Sequence, residues 1–191
     1  QVTQAMARAA RAVGARVRRF ESVVGLAQHA NQHWTVTTRT KDGDTNAVDC
    51  EHVINAAGYR AGEVMALIGR HHPIAQMSHQ YYVTDEIPEL AAREFPLPLL
   101  RDPDTSYYLR QERNSYILGP YEWQATAMWR DGIPDHFANM LWSEDLERLE
   151  TQILDASERV PVLGEAGIAR VVNGPIPYAP DGNPYMGPER G

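Results

Sequence analysis

The chain has 191 residues and a formal net charge of −7, so it lacks the basic surface that phosphate backbones attract, and nucleic acid is not expected as a partner. Its one cysteine, Cys50, excludes an intramolecular disulfide and a cysteine zinc cluster, which fits a reducing compartment. No apolar run reaches the roughly 18 residues that a membrane-spanning helix needs, so no membrane partner is expected either.

The first 70 residues alternate helix and strand. Apolar residues at helical spacing predict a helix that ends near residue 13, with Gly14 in the position of a helix-terminating glycine. Strands are predicted around Phe20–Val24, which should face inward, and in "HWTVTTRT", followed by a hairpin turn at "KDGD". The run "HVINAAG" is typical of a strand buried on both faces, and a short helix is predicted from Arg60 to Ile68.

The pattern changes after residue 70. "HQYYVTDEI" and the hairpin candidate "SYYLRQERNSYILGPYE" indicate antiparallel strands. Ser143 is predicted to cap a helix that must end before Pro161, and "IARVVNGPI" predicts one further strand. We therefore expect an α/β fold, α+β overall, divided into residues 1–70, 71–170 and 171–191. The start at Gln1, inside a helical pattern and without an initiator methionine, indicates a segment of a longer protein.

The first candidate site is "VINAAGYR", where small residues follow a strand. Small side chains let a ligand approach the backbone, Gly58 can adopt a positive φ, and the start of the next helix offers unpaired N–H groups to an anion. An ordinary tight turn between strand and helix explains the same residues and remains the alternative. The chain contains neither G-x-G-x-x-G nor G-x-x-x-x-G-K-[ST], so the main phosphate loop of any bound nucleotide is not in this sequence.

Histidines raise the question of a metal ion. His71, His72 and His79 could be joined by Cys50 or His52, but adjacent side chains on an extended chain point to opposite sides and do not easily share one ion. We therefore predict no metal site. There is also no G-x-S-x-G motif for a serine hydrolase.

Tyrosines are concentrated in the antiparallel region, at Tyr81, Tyr82, Tyr107, Tyr108, Tyr116 and Tyr121. Tyrosine is common in sheets, so about half of these are expected to be packing residues. A sheet face that carries both phenols and a histidine would nonetheless suit a small, partly apolar, ionisable substrate.

Four segments in order carry a resemblance to a known family: "VINAAGYRAGEVMALIG", "PIAQMSHQYYVTDEIPEL", "LLRDPDTSYYLRQERNSYILGPYE" and "VVNGPIPYAPDGNPYMGP". Together they resemble the dimethylglycine and sarcosine dehydrogenase/oxidase branch of the D-amino-acid-oxidase-like flavoproteins. The resemblance implies the central segment of a glutathione-reductase-type FAD domain at 1–70, a substrate-binding domain on an antiparallel sheet at 71–170, and a return toward the FAD domain at 171–191. By the same resemblance, the phosphate-binding motif lies upstream of this chain.

The resemblance also assigns residues to the cofactor. Val23 matches the residue whose backbone meets the adenine end of FAD. Ala56, Ala57 and Gly58 match the small turn beside the dinucleotide, and Tyr108 matches a tyrosine near the flavin.

For catalysis, the resemblance points to His79 and Tyr108. His79 is expected to accept the ammonium proton or to keep the amine neutral, and Tyr108 to orient the substrate or a water. Tyr107 remains the alternative if the match is shifted by one residue. Glycine-oxidase-like relatives carry an arginine for the substrate carboxylate where this chain has Gly174–Pro177, so the partner of the carboxylate is left open.

The implied function is FAD-dependent oxidative demethylation of dimethylglycine or sarcosine, with hydride passing to flavin N5 and an iminium forming on the substrate. Either O₂ or an electron-transfer flavoprotein would accept the electrons, and tetrahydrofolate would act through a region outside this chain. The expected location is the cytoplasm, or the mitochondrial matrix in a eukaryote. The alternatives are a non-catalytic amine- or folate-associated binding module and a relative of the glycine or D-amino-acid oxidases.

Overall fold

The computed structural model describes residues 2–189, and the chain divides after His72 into two compact units. The first unit consists of a helix, three strands and a short helical segment. In chain order these are α1 (Val2–Ala12), β1 (Glu21–Gln28), β2 (Trp34–Thr40), β3 (Thr45–Cys50), a 3₁₀ turn (Gly58–Arg60) and α2 (Ala61–Ala66).

The three strands of the first unit form an antiparallel sheet in the order β1-β2-β3. The predicted hairpin turn at "KDGD" is confirmed: Gly43 adopts a φ of 96°, and the amide of Thr40 donates to the carbonyl of Asp44 at 2.8 Å. Strand β1 carries a bulge, because Val23 pairs with Thr38 while Gly25 pairs with the next residue, Thr37.

Two sequence predictions for this unit are wrong. The run "HVINAAG" is not a strand: β3 ends at Cys50, residues 51–57 have no regular structure, and Ile54 is 88% exposed. A buried strand needs neighbours to pair with, and the described strands of this unit pair only with one another. Phe20, expected to face inward, is 70% exposed.

The second unit is built on six antiparallel strands. They are β4 (Ala75–Thr84), β5 (Leu100–Asp102), β6 (Tyr107–Glu112), β7 (Ser115–Pro120), β8 (Ala127–Met128) and β9 (Ile168–Tyr178). Strand β9 pairs along the whole of one edge of β4, whereas β7 and β8 share its other edge. Strands β6 and β5 continue the sheet beyond β7. The predicted hairpin at residues 106–122 is thereby confirmed as β6 and β7.

One face of this sheet forms the hydrophobic core. Helices α3 (Pro88–Ala91), α4 (Glu150–Arg159) and α5 (Val162–Glu165) supply residues to a cluster with Tyr82, Ile87, Leu90, Tyr107, Leu109, Tyr116, Leu118, Ala156 and Leu163. Burying each large side chain of this set contributes about 1.5–3 kcal/mol. We call this side the core face and the opposite side, which carries His79 and Tyr108, the site face.

The approach to α4 differs from the prediction. Ser143 does not cap the helix: a 3₁₀ turn at Leu146–Leu149 comes first, and α4 starts at Glu150 without a side-chain cap. The carbonyl of Ser143 instead accepts a hydrogen bond from Asn173 Nδ2 at 2.8 Å, which ties this segment to β9. The predicted end before Pro161 is confirmed, since α4 ends at Arg159.

Residues 171–178 are part of β9, which pairs with β4. The assignment of residues 171–191 to a return toward the FAD domain stays a prediction.

Candidate active site

Because side chains alternate along each strand, the sheet has a core face that packs and a site face that carries His79 and Tyr108. In β4, Gln80 and Tyr82 are buried on the core face, so His79 projects from the site face. In β6, Tyr107 is fully buried at 0% exposure, whereas its neighbour Tyr108 is only partly buried and lies on the site face. Of the two tyrosines that the sequence left open, Tyr108 is therefore the one that shares a face with His79.

Tyr121, just beyond β7, connects these two residues. Its ring centroid lies 5.9 Å from that of His79 and 5.8 Å from that of Tyr108. Two hydrogen bonds with Ser106 hold its backbone: the amide of Tyr121 donates at 2.7 Å and its carbonyl accepts from Ser106 Oγ at 2.9 Å. Tyr121 thus brings the imidazole and the phenol into one aromatic group.

Gly119 makes room for Tyr108. The two residues are directly opposite each other in the β6–β7 ladder, and a Cβ placed on Gly119 would overlap the Cζ, Cε1 and Oη atoms of Tyr108. The ring therefore lies against the bare backbone of β7, a position that any larger residue at 119 would deny it.

A charged pair lies across strand β4 from His79. Arg148 ion-pairs with Glu122, its Nε lying 2.9 Å from Oε2, and its Nη2 donates hydrogen bonds to Glu122 Oε1 at 3.1 Å and to Ser78 Oγ at 3.0 Å. The Glu122 side chain is only 6% exposed, so this ion pair is largely shielded from water. Ser78 precedes His79 and, by strand alternation, points to the other face of β4, so the charge of Arg148 acts on His79 from across the strand.

The protonation of the site follows from these surroundings. Burial, and then the positive charge of Arg148, lower the pKa of His79 below its ordinary value. Burial, and then the neighbouring phenol of Tyr121, raise the pKa of Tyr108 above its ordinary value. At neutral pH the site face therefore presents a neutral imidazole that can accept a proton and a phenol that keeps its own.

Of the residues predicted to meet the cofactor, Val23 and the Ala56–Gly58 turn lie in the first unit and Tyr108 in the second. Asn55 closes the small turn, because its Oδ1 accepts from the amide of Ala57 at 3.2 Å and its Nδ2 donates to the carbonyl of Ala61 at 2.9 Å. Gly58 has a φ of 59°, as the sequence predicts, and a Cβ placed there would meet nothing within 4 Å. This exposed backbone, bare of large side chains, fits a dinucleotide that packs against the turn.

Val23 lies at the bulge in β1 with an exposed side chain. Its contact with FAD stays a prediction, as do those of Ala56, Ala57, Gly58 and Tyr108. His79 and Tyr108 come together in the second unit, whereas Val23 and the Ala56–Gly58 turn belong to the first.

Within residues 2–189, no group of three or more His, Cys, Asp or Glu side chains has the arrangement of a metal site. None of the helices in the same range is both long and apolar enough to cross a membrane.

Sequence reasoning did not single out Gly119, Glu122 or Arg148, and it treated Tyr121 as one tyrosine among six. Gly119 could have been found from the hairpin register, which places it opposite Tyr108. No sequence signal connects Arg148 to Ser78, which lies 70 residues earlier.

Comparison with known proteins identifies relatives. The family model described as FAD dependent oxidoreductase (DAO) matches residues 1–191. The chain is 41% identical over 195 residues to the mitochondrial dimethylglycine dehydrogenase of Mus musculus, covering 100% of this chain and 22% of the relative. It is 31% identical over 182 residues to the mitochondrial sarcosine dehydrogenase of Mus musculus, covering 95% of this chain and 19% of the relative. The chain thus spans only a small part of the length of these curated relatives.

Solved structures share the fold. The L-proline dehydrogenase from P. horikoshii matches with a TM-score of 0.74 at 23% identity, over 99% of this chain and 46% of that chain. The glycine oxidase from Geobacillus kaustophilus matches with a TM-score of 0.69 at 18% identity, over 97% of this chain and 44% of that chain. The mixed helical and antiparallel-sheet fold expected from the sequence is therefore confirmed.

Proposed function

The chain belongs to the family of FAD dependent oxidoreductases, and from that premise we propose that the protein carrying it oxidatively demethylates a small N-methylated amino acid, dimethylglycine or sarcosine. The observation that carries the proposal is the site face, where His79 and Tyr108 both contact Tyr121. The names of the relatives supply the substrate class, since they include dimethylglycine and sarcosine dehydrogenases.

The chemistry of an amine substrate explains why a neutral histidine is useful. An alkylammonium ion has no free lone pair, so it must lose its proton before the adjacent carbon can be oxidised. FAD, when bound, supplies the oxidation by accepting hydride from that carbon. His79, whose pKa is lowered, is available at neutral pH to take the ammonium proton.

Tyr108 has a complementary role. Because its pKa is raised, its hydroxyl remains protonated and can donate a hydrogen bond that orients the substrate or a water. Its ring has a fixed place against Gly119, which limits where that hydroxyl can point.

We propose that residues of each unit contact FAD, and the assignments for the two units are made separately. The exposed turn at Ala56, Ala57 and Gly58 would receive part of the dinucleotide, the backbone at Val23 would meet its adenine end, and Tyr108 would lie near the flavin. This corresponds to a partial FAD-binding domain at 1–70 and a substrate-binding domain at 71–170.

The remaining components are also proposals. Electrons pass to O₂ or to an electron-transfer flavoprotein, and tetrahydrofolate acts, if at all, through a region outside this chain. The curated relatives are mitochondrial by name, so we assign the matrix if the source is eukaryotic and the cytoplasm otherwise.

The test uses the complete protein that carries this chain. Purified holoprotein is mixed anaerobically with sarcosine or dimethylglycine, and bleaching of the flavin absorbance is followed. Replacement of His79 by Asn should lower the bleaching rate about 10²- to 10⁴-fold, the usual contribution of a general base, without loss of FAD. The matched control is His33→Asn, which changes an exposed histidine of the first unit.

An unchanged bleaching rate in the His79 variant would remove it from the mechanism. A folded but colourless complete protein would favour the non-catalytic binding module. Faster bleaching with glycine or D-alanine than with either N-methyl amino acid would instead favour the oxidase relatives.

A further inference from the structure

Arg101 lies in the same cross-strand row as Tyr108. The two residues are directly opposite each other in the β5–β6 ladder, so their side chains emerge on the same face of the sheet. The next residue, Asp102, is buried and ion-pairs with Arg159, its Oδ2 lying 3.0 Å from Arg159 Nε. Alternation along this short strand thus puts the carboxylate toward the core face and leaves the exposed guanidinium on the site face.

The guanidinium of Arg101 reaches the aromatic group at the centre of the site. Its Cζ atom lies 5.1 Å from the centroid of Tyr121, the ring that also neighbours His79 and Tyr108. A cation over a ring uses the plane of the guanidinium and leaves its N–H edge free for a planar acceptor. Arg101 is therefore held against the ring that His79 also neighbours, while its donors stay available.

Two other arginines of the second unit, Arg110 and Arg148, already pair with carboxylates of the described residues, whereas Arg101 does not. Arg110 ion-pairs with Glu112 at 2.5 Å, and Arg148 ion-pairs with Glu122 at 2.9 Å. Across residues 2–189, Arg101 makes no salt bridge to an Asp or Glu. A guanidinium without a protein carboxylate is a ready partner for a carboxylate from a ligand, which it can bind with two parallel hydrogen bonds.

We infer that Arg101 binds the carboxylate of the amino-acid substrate, in the position opposite to the amine end that His79 receives. The inference rests on the proposed function, which it deepens by naming the residue that selects for a carboxylate. It also fills the role that Gly174–Pro177, which contains no arginine, cannot perform.

The direct test measures binding without turnover. Acetate has the carboxylate but no amine, and its affinity for the complete oxidised holoprotein can be measured by isothermal titration calorimetry. Replacing Arg101 with Gln should weaken acetate binding about 10- to 100-fold, the usual effect of losing a charge-assisted hydrogen bond. Arg101→Lys keeps the charge but not the paired donors, so its acetate affinity should lie between those of the unaltered protein and of Arg101→Gln. The matched control, Arg110→Gln, changes an arginine that already has a protein partner and should leave the affinity unchanged.

A second measurement separates carboxylate binding from mere support of Tyr121. The ratio of kcat/KM for sarcosine to that for its neutral amide should fall at least about tenfold in Arg101→Gln. If both substrates lose rate equally, Arg101 only positions the ring and the inference fails. It also fails if acetate does not bind the unaltered protein, or binds equally to the Arg101→Gln variant.

The two proposals can fail separately. Acetate binding that depends on Arg101, in a holoprotein that neither N-methyl amino acid bleaches, would refute the proposed function while supporting the carboxylate site. Bleaching by sarcosine with acetate affinity that is independent of Arg101 would refute the carboxylate site alone.

Discussion

Replacing Gly119 with Ala tests whether the position of Tyr108 depends on the bare backbone opposite it. In an ordinary strand the change would stabilise the protein by about 0.5–1 kcal/mol, because glycine loses more backbone entropy on folding. Here the new methyl group would overlap the Tyr108 ring, and overpacking of this kind typically costs about 1–3 kcal/mol. The expected net effect is destabilisation of up to about 2.5 kcal/mol.

The sign of the effect should reverse when the ring is removed. In a Tyr108→Ala background the overlap is gone, so Gly119→Ala should become stabilising by about 0.5–1 kcal/mol. The assay compares the midpoints of urea unfolding of four holoproteins: the unaltered protein, Gly119→Ala, Tyr108→Ala and the double variant. The direction of each shift carries the test, so it does not depend on two-state unfolding of a protein with more than one compact unit.

A matched glycine in the same unit controls for the intrinsic preference for alanine. A Cβ on Gly164, in α5, would come no closer than 3.6 Å to its nearest neighbour, Ser157, which is an ordinary contact. Gly164→Ala should therefore shift the midpoint equally in the unaltered protein and in the Tyr108→Ala background. If Gly119→Ala also shifted the midpoint in the same direction in both backgrounds, Tyr108 would not lie against Gly119 and the described site geometry would be wrong.

Two further predictions concern protonation and register. Because the charge of Arg148 helps to lower the pKa of His79, Arg148→Met should raise that pKa, and the acid limb of the pH profile of kcat/KM should move to higher pH; an unmoved limb would show that the charge does not act on His79. Tyr107 has a buried hydroxyl that no described residue hydrogen-bonds, so Tyr107→Phe should leave the rate of flavin reduction unchanged and stabilise the protein by up to about 1 kcal/mol. Tyr108→Phe should slow flavin reduction, and a larger loss in the Tyr107 variant would reverse the assignment.

The sequence predicted the parts of the fold that depend on neighbours in the chain. The hairpin of β6 and β7 follows from alternation on both sides of a two-residue turn, where Arg113 adopts a φ of 56°. The failures are of another kind. The apolar run at 52–58 indicates that a segment favours burial, but not which element covers it. Ser143 is not a cap because the helical turns begin only at Leu146, and its carbonyl is bonded instead to Asn173, a residue of a strand 30 positions later.

The candidate site was predicted as residue types rather than as an arrangement. His79 and Tyr108 were named through a family resemblance, and neither their common face nor their shared neighbour Tyr121 was derived from the sequence. Arg101 and Gly119 are assigned to the site only because the cross-strand register puts both of them opposite Tyr108. Register depends on hydrophobic alternation and turn geometry together, so a residue-by-residue search for chemical groups does not find such a row.

The tandem Tyr107 and Tyr108 show why one sheet can hold both the core and the site. A one-residue step along β6 moves a phenol from complete burial to a face where it meets His79's neighbour Tyr121, so the same residue type serves packing in one position and substrate handling in the next. A shift of β6 by one residue would exchange the two roles, placing Tyr108 in the core and removing Arg101's partner across the ladder. The packing of Tyr107 on the core face therefore also fixes the position of the site face, and mutations that loosen that packing should impair chemistry on the other side of the sheet.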